Sequence, residues 1–231
     1  KALRTFGGDL LRRHDVKSAF VNLTRWIDVK HLGNWQRDPS YTFELIMNIS
    51  ESYNLQSTFY FLSGGGHAFD GNYFITHPLI KQLITKINAR GHEIGYHGSF
   101  ETYRDHKKTK KEVDYLKKTI AMCGIDQAIS KGRQHYLRWV TPITWANYEK
   151  SYLKFDSTLS YADAAGFRCG SCHDFMTYDI INDNELTLIE QPLITMEGSL
   201  FGGMSKRHVG LSDEDAVDLA ILLKNQCKKY R

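Results

Sequence analysis

The chain predicts an α/β fold of parallel strand–helix units, organised as a single domain over residues 1–231. Three observations carry this. Short apolar and aromatic runs, such as Ser57–Leu62, alternate with longer stretches of helical periodicity, such as Leu79, Ile80, Leu83, Ile84 and Ile87. Glycine stands at the joints between them, at Gly64–Gly66 and Gly91. No Pro/Gly/Ser-rich linker and no repeat divides the 231 residues, a length that parallel β/α folds fill as one unit.

Taken in order, Leu3, Phe6, Leu10 and Leu11 hint at a helix broken by Gly7-Gly8, and Phe20, Leu23, Trp26 and Ile27 recur at helical spacing. Asp38-Pro39 is a start signal for a helix carrying Phe43, Ile46, Met47 and Ile49. Ser57–Leu62 is predicted as a buried strand opening into the Ser63–Gly66 loop, followed by a helix from Pro78 to Gly91 and a strand from Ile94 to Ser99. Thr109-Lys-Lys-Glu112 has the form of a capping box for a helix through Val113, Leu116, Ile120 and Met122, with Cys123 at its end. Strands are predicted at His135–Trp139, Phe155–Tyr161 and Leu186–Met196, with a short helix near Pro142–Tyr152 between the first two. Ser212 to Asp215 caps a last helix through Ala216, Leu219, Leu222 and Leu223. Reactive residues of parallel β/α folds sit at the C-terminal ends of the strands, so Ser63–Gly66, His97–Glu101, Trp139–Thr141 and Tyr161–Asp163 are expected on one face.

Composition narrows the classes. With 42% hydrophobic and 24% charged residues the chain is globular rather than disordered. A net charge of +4 gives no footprint for nucleic acid, and the basic run Lys107–Lys111 shares its helix with Glu112 and Asp114, as a solvated face does. No apolar run approaches the roughly 18 residues of a membrane helix, and no signal peptide precedes the first strand. The chain opens at Lys1 without a methionine, so a natural N-terminus further upstream is expected. Four cysteines make no disulfide framework, which favours a reducing, cytoplasmic compartment.

The polar residues worth weighing are few. The segment Gly91-His92-Glu93-Ile94-Gly95-Tyr96-His97 places three polar side chains on a core strand, where an unpaired one costs roughly 1–3 kcal/mol. His97 stands at the strand tip with Glu101 four residues on, a spacing that suits a divalent metal if the chain turns helically there. His92-Glu93 is not a zinc-helix motif: Tyr96 occupies the second histidine's place, and Gly91 and Gly95 disfavour a helix. Arg133–Trp139 spreads two arginines, His135, Tyr136 and Trp139 along one run. Read as a strand, it has Arg133, His135, Leu137 and Trp139 on one face and Gln134, Tyr136 and Arg138 on the other. A buried arginine needs an anionic partner, and Glu190, Glu197 and Asp156 are the candidates within the chain. Cys169-Gly-Ser-Cys172-His173 matches a haem-attachment motif with nothing else to support haem, and ordinary loop cysteines are expected. Ser63–Gly66 lacks the lysine of a phosphate loop, and His14-Asp15-Val16 lies in a basic stretch without a strand.

Ser57–Leu62 followed by Gly91–His97 resembles the polysaccharide deacetylase superfamily (NodB-like, carbohydrate esterase family 4). Gly91–Tyr103, Arg133–Trp139, Phe155–Tyr161, Gly166–Cys172 and Pro192–Leu200 together resemble a divergent bacterial branch associated with O-antigen and surface-polysaccharide synthesis. The resemblance implies a distorted (β/α)7-type barrel, incomplete here at both ends, and metal-dependent removal of an acetyl or similar acyl group from an amino sugar. It implies a divalent metal, zinc by ligand type, with His97 matching the first histidine of an H-x-x-x-H motif. Glu101 stands where the second histidine would be. Arg133 falls at the arginine that orients the catalytic base, although His135, Tyr136 and Leu137 replace the rest of that motif. His135 would then act as acid on the leaving amine, and Tyr136, Arg138 and Trp139 would bind the carbohydrate. The family's paired-aspartate motif has no match, so the base and one ligand are expected upstream of Lys1, and the motif of the last barrel strand is not met before Arg231. The alternatives are a non-catalytic carbohydrate-binding protein on the same fold, and a metal-free enzyme using His135 and the arginines on an anionic sugar.

Overall fold

A computed structural model describes residues 33–38, 40–202 and 210–229, together with Val21, Thr24 and Ile27. The expectations resting on Leu3–Arg13, His14-Asp15-Val16, Phe20, Leu23, Trp26 and Pro39 lie outside the described residues. The chain divides into two compact units, residues 1–56 and residues 57–231. In the first, helix α1 (Phe43–Ser52) follows a 3₁₀ turn at Trp35–Arg37.

The second unit is a six-stranded sheet with helices. Its elements are β1 (Thr58–Leu62), α2 (Pro78–Ala89), β2 (Glu93–Gly98), α3 (His106–Met122), β3 (Lys131–Gln134), α4 (Ile143–Lys150), β4 (Phe155–Asp156), β5 (Phe175–Asp179), β6 (Asn184–Glu190), α5 (Glu197–Phe201) and α6 (Asp213–Lys229). The sheet order is β1-β2-β3-β4-β6-β5, parallel except for the antiparallel pair β5–β6. β1 and β5 stand at its two edges, so among the described residues the sheet is open, and the expected barrel closure is not formed by them.

The helices follow their sequence signals in kind, with two displaced starts: α1 begins at Phe43, past the signal at Asp38, and α3 begins earlier than expected. Pro78 opens α2, the His77 ring accepts from the Leu79 amide, and Gly91 (φ +78°) follows its end. α3 begins at His106, four residues before the start that a Thr109 cap would give, because Asp105 is the cap: its carboxylate accepts the Lys108 amide at 3.0 Å. Thr109 and Glu112 are instead buried inside the helix, on the stripe that includes Val113, Leu116 and Ile120. Leu83, Ile84 and Ile87 of α2, Ile94 and Tyr96 of β2 and Leu188 of β6 complete the core around that stripe.

Of three predicted strands, the one at His135–Trp139 is not formed and the other two are shorter than expected, each for a local reason. β3 ends at Gln134, since His135–Leu137 forms a 3₁₀ turn with Tyr136 (φ 58°, ψ 21°) and Leu137 (φ 52°) in the left-handed region. The two-face alternation read along Arg133–Trp139 therefore stops at Gln134. β4 stops at Asp156, whose own carboxylate takes the Thr158 amide at 3.0 Å and draws the backbone off the ladder. β6 runs from Asn184 to Glu190 and leaves 191–196 as loop. β5 has no counterpart among the predicted strands: it forms a hairpin with β6 around a turn in which Asp179 accepts the Ile181 and Asn182 amides.

Candidate active site

One face of the sheet carries the polar residues of β1, β2 and β3. Register brings Thr58 beside Glu93 and His97 beside Arg133. At the start of the strands Thr58 Oγ1 donates to Glu93 Oε2 at 2.8 Å, and Lys131 Nζ pairs with the same oxygen. Burial acts to raise the Glu93 pKa, yet the bonds from Lys131 and Thr58 hold it below the usual carboxylate value. Midway, the Arg133 guanidinium lies 4.7 Å from the Tyr60 ring centre, and its Nε donates to the Ser157 carbonyl and hydroxyl, each at 3.1 Å. Gly95 is required here, because a Cβ would stand 2.7 Å from the Tyr60 ring. Arg133 makes no ion pair with Glu190, Glu197 or Asp156.

At the C-terminal ends two imidazoles meet: His97 Nε2 is 3.0 Å from His135 Nδ1, and His135 Nε2 is 2.8 Å from the Phe69 carbonyl. A carbonyl only accepts, so the proton of His135 sits on Nε2 and its Nδ1 offers a lone pair towards His97. Burial, the neighbouring His135 and the Arg133 charge push the His97 pKa down to about 4, which keeps its ring neutral. His97 Nε2 is then the donor of the bond between the rings, so the two nitrogens could hold a metal ion together only after this proton is given up.

That is where the fit to a metal stops. Among the described residues no three His, Cys, Asp or Glu side chains converge. Glu101 faces Arg138, with Oε1 3.2 Å from Nη1. Arg138 is itself clamped, its guanidinium 3.8 Å from the Phe100 ring centre and 4.1 Å from that of Tyr103, with Nη1 donating to the Phe100 carbonyl at 2.7 Å. Trp139 packs edge-on against Trp145 at 4.8 Å, whereas Tyr136 is 49% exposed beside His135.

Several residues that hold the site drew no functional expectation. Asp70 ties the loop after β1 to the exit of β2, accepting the His67 amide at 3.0 Å and the Phe100 amide at 2.8 Å. Glu112 reaches from α3 to accept from Tyr96 Oη at 2.9 Å, Ser99 Oγ at 2.6 Å and the Ser99 amide at 3.2 Å. A cavity of about 500 Å³ opens beside them, lined by Ser63–Gly66, Asp70, Glu101, Lys108 and Lys111. The only sequence signal for Glu112 was its place in an apparent capping box. The cysteines of the C-x-x-C-H segment are free, and burial first, then the Glu190 charge, pushes the Cys169 thiol up to about 11.

A solved structure assigned as a polysaccharide deacetylase from Mycobacterium smegmatis matches with a TM-score of 0.56 at 15% identity, over 91% of this chain and 70% of that one. The likeness is one of fold. No family model and no curated protein matches the chain. No helix among the described residues is long and apolar enough to cross a membrane.

Proposed function

We propose that the chain is a hydrolase of the polysaccharide-deacetylase kind, removing an acetyl or similar acyl group from an amino sugar of a bacterial surface polysaccharide or its precursor. The observation that carries the proposal is the His97–His135 pair at the C-terminal ends of β2 and β3, in a fold like that of a polysaccharide deacetylase. His97 is the first candidate ligand of a divalent ion, zinc by the chemistry of imidazole nitrogen, and His135 stands within reach of the same point. Bound there, such an ion would supply polarisation of the acyl carbonyl and a water whose pKa is lowered to about 7. Glu101 joins it only by leaving Arg138.

The chain's own residues have separable tasks in this reading. Arg133, fixed by Ser157 and Tyr60, holds positive charge beside the pair and orients a carboxylate base. His135 could act as the acid on the departing amine only in its imidazolium form, giving up the Nε2 proton now held by the Phe69 carbonyl after Nδ1 has taken one from solvent, and so returning to the neutral ring. Tyr136 meets the sugar, with Arg138 and Trp139 supporting its segment. A second reading, a carbohydrate-binding protein without catalysis, is favoured by the commitment of Glu101 to Arg138.

His97→Ala separates the two. The hydrolase reading expects stoichiometric zinc and release of acetate from N-acetylated glycans by the unchanged protein, both lost in the variant. Zinc content and acetate release equal in the two proteins would sink the assignment of His97; glycan binding with neither zinc nor acetate would select the second reading.

A further inference from the structure

The C-x-x-C-H segment, residues 169–173, lies in the loop between β4 and β5, and the function proposed above makes no use of it. That loop is anchored on both sides. The Gly166 amide donates to the Ile194 carbonyl at 2.9 Å, and Arg168 Nη1 donates to the Ser160 carbonyl at 2.7 Å. Its two cysteines have different surroundings. Cys169 feels the Glu190 and Asp156 charges of the sheet. Cys172 instead faces α6, where the Cys227 thiol is its hydrogen-bond partner. A cavity of about 390 Å³ opens at the same place, lined by Phe167, Gly170, Ser171, Cys172, His173 and, from α6, Gln226. Cys172 Sγ is 3.7 Å from His173 Nε2. α6 itself is lightly anchored: Ala216 and Leu223 are its buried residues, while Val217, Ile221 and Leu222 stay half exposed.

We propose that Cys172 and Cys227, rather than Cys172 and Cys169, form a reversible disulfide that ties α6 to the loop between β4 and β5. The proposal is independent of the hydrolase reading. Thiols already in hydrogen-bond contact need only a short approach to reach disulfide geometry. The oxidant is a small-molecule disulfide, and the cavity is of the size that small ligands occupy. Cys172, on the cavity wall, gives its proton to His173 Nε2, and its thiolate attacks one sulfur of that molecule. The small molecule's S–S bond breaks, one half leaves as a thiolate, and a mixed disulfide remains on Cys172. Cys227, whose thiol is pushed up by burial and by its bond to Cys172, is the second to lose its proton. Its thiolate attacks Cys172 Sγ and expels the other half. Two cysteine thiols are thereby oxidised, and their two electrons and two protons convert the small disulfide to two thiols. The thiol–disulfide poise around the protein then decides whether α6 is tethered.

The test equilibrates the full chain in glutathione buffers that run from reduced to oxidised. Free thiols are counted, peptides are mapped by mass spectrometry, and melting temperatures are measured. Two of the four thiols are expected to disappear together, in one crosslinked peptide pair carrying Cys172 and Cys227. Oxidation should raise the melting temperature by roughly 5–15 °C, as a crosslink closing a long loop does. Cys227→Ser should abolish both changes and leave glutathione attached at Cys172, whereas Cys169→Ser should leave both in place. His173→Ala should slow closure by roughly three- to tenfold without moving the glutathione ratio at which half the bond has formed. Should Cys227→Ser fail to fold, the peptide map and melting shift of the unchanged protein decide alone. A Cys169–Cys172 crosslink, four thiols surviving in oxidised glutathione, or glutathione lodged on Cys172 of the unchanged protein overturns the proposal. So does a Cys172–Cys227 bond that leaves the melting temperature where it was.

Discussion

At the scale of the residue, the site depends on contacts that cross between segments. Gly64 is an example. A Cβ there would fall 1.9 Å from Glu112 Oε1, and Glu112 cannot easily retreat, because Ser99 and Tyr96 hold both of its oxygens. Gly64→Ala must therefore expel the Glu112 carboxylate and leave buried donors unpaired, at a cost of roughly 1–3 kcal/mol. Urea unfolding measures it; a loss under about 0.5 kcal/mol would mean that Glu112 is not fixed as described. The place of His97 at a strand tip was legible in the sequence. Its neighbour was not. Spacing along the chain pointed to Glu101, four residues away, but cross-strand register sets His97 beside Arg133 and so brings His135 to it. Register is invisible in a single sequence.

At the scale of the element, the sequence signals for helices were sound in kind, and the displaced start of α3 is instructive. Thr109 and Glu112 have the right identities for a capping box, yet both point into the protein. Thr109 Oγ1 lies 3.0 Å from the Thr102 carbonyl it bonds, and Glu112 serves Ser99. Asp105 does the capping. Asp105→Ala should cost about 1 kcal/mol through loss of the Lys108 amide bond, with reduced helicity at the start of α3. If thermal unfolding and circular dichroism show Asp105→Ala to be neutral, the cap lies elsewhere. Strands were harder to delimit than helices. Arg133–Trp139 and Phe155–Tyr161 both have strand composition, but a left-handed turn at Tyr136 and the Asp156–Thr158 bond end the ladders early. β5 went unseen because its alternation, from Phe175 to Asp179, lies on an edge strand whose exposed positions include Met176 and Tyr178.

At the scale of the whole molecule, the alternation of strands and helices was enough to give a mostly parallel α/β sheet, whereas closure depends on which edges meet, which no local pattern encodes. Nor does a local pattern reveal the feature that couples the sheet to pH. Asp156 of β4 and Glu190 of β6 are in register and both are fully buried. Trp145 of α4 donates to Glu190 Oε2 at 2.9 Å, and the Leu159 amide to Oε1 at 3.2 Å. Burial is the main cause of both shifts, with the Asp156 charge adding to that of Glu190: Asp156 is pushed up to about 6 and Glu190 to about 9. Both values lie above those of the unfolded chain, so between pH about 4 and about 9 the folded protein retains protons that the unfolded chain has released. The sign follows. The pair's contribution is fully present below pH about 4 and is lost as pH rises through the two folded values, at up to about 1.4 kcal/mol per pH unit for each proton. Asp156→Asn removes one titration while its amide can still accept from Thr158 and donate to an ionised Glu190. Urea midpoints from pH 5 to pH 9 should therefore fall more steeply for the unchanged protein than for the variant. Every other titrating group is common to the two proteins, so parallel profiles would mean that these carboxyls do not share a proton across the middle of the sheet.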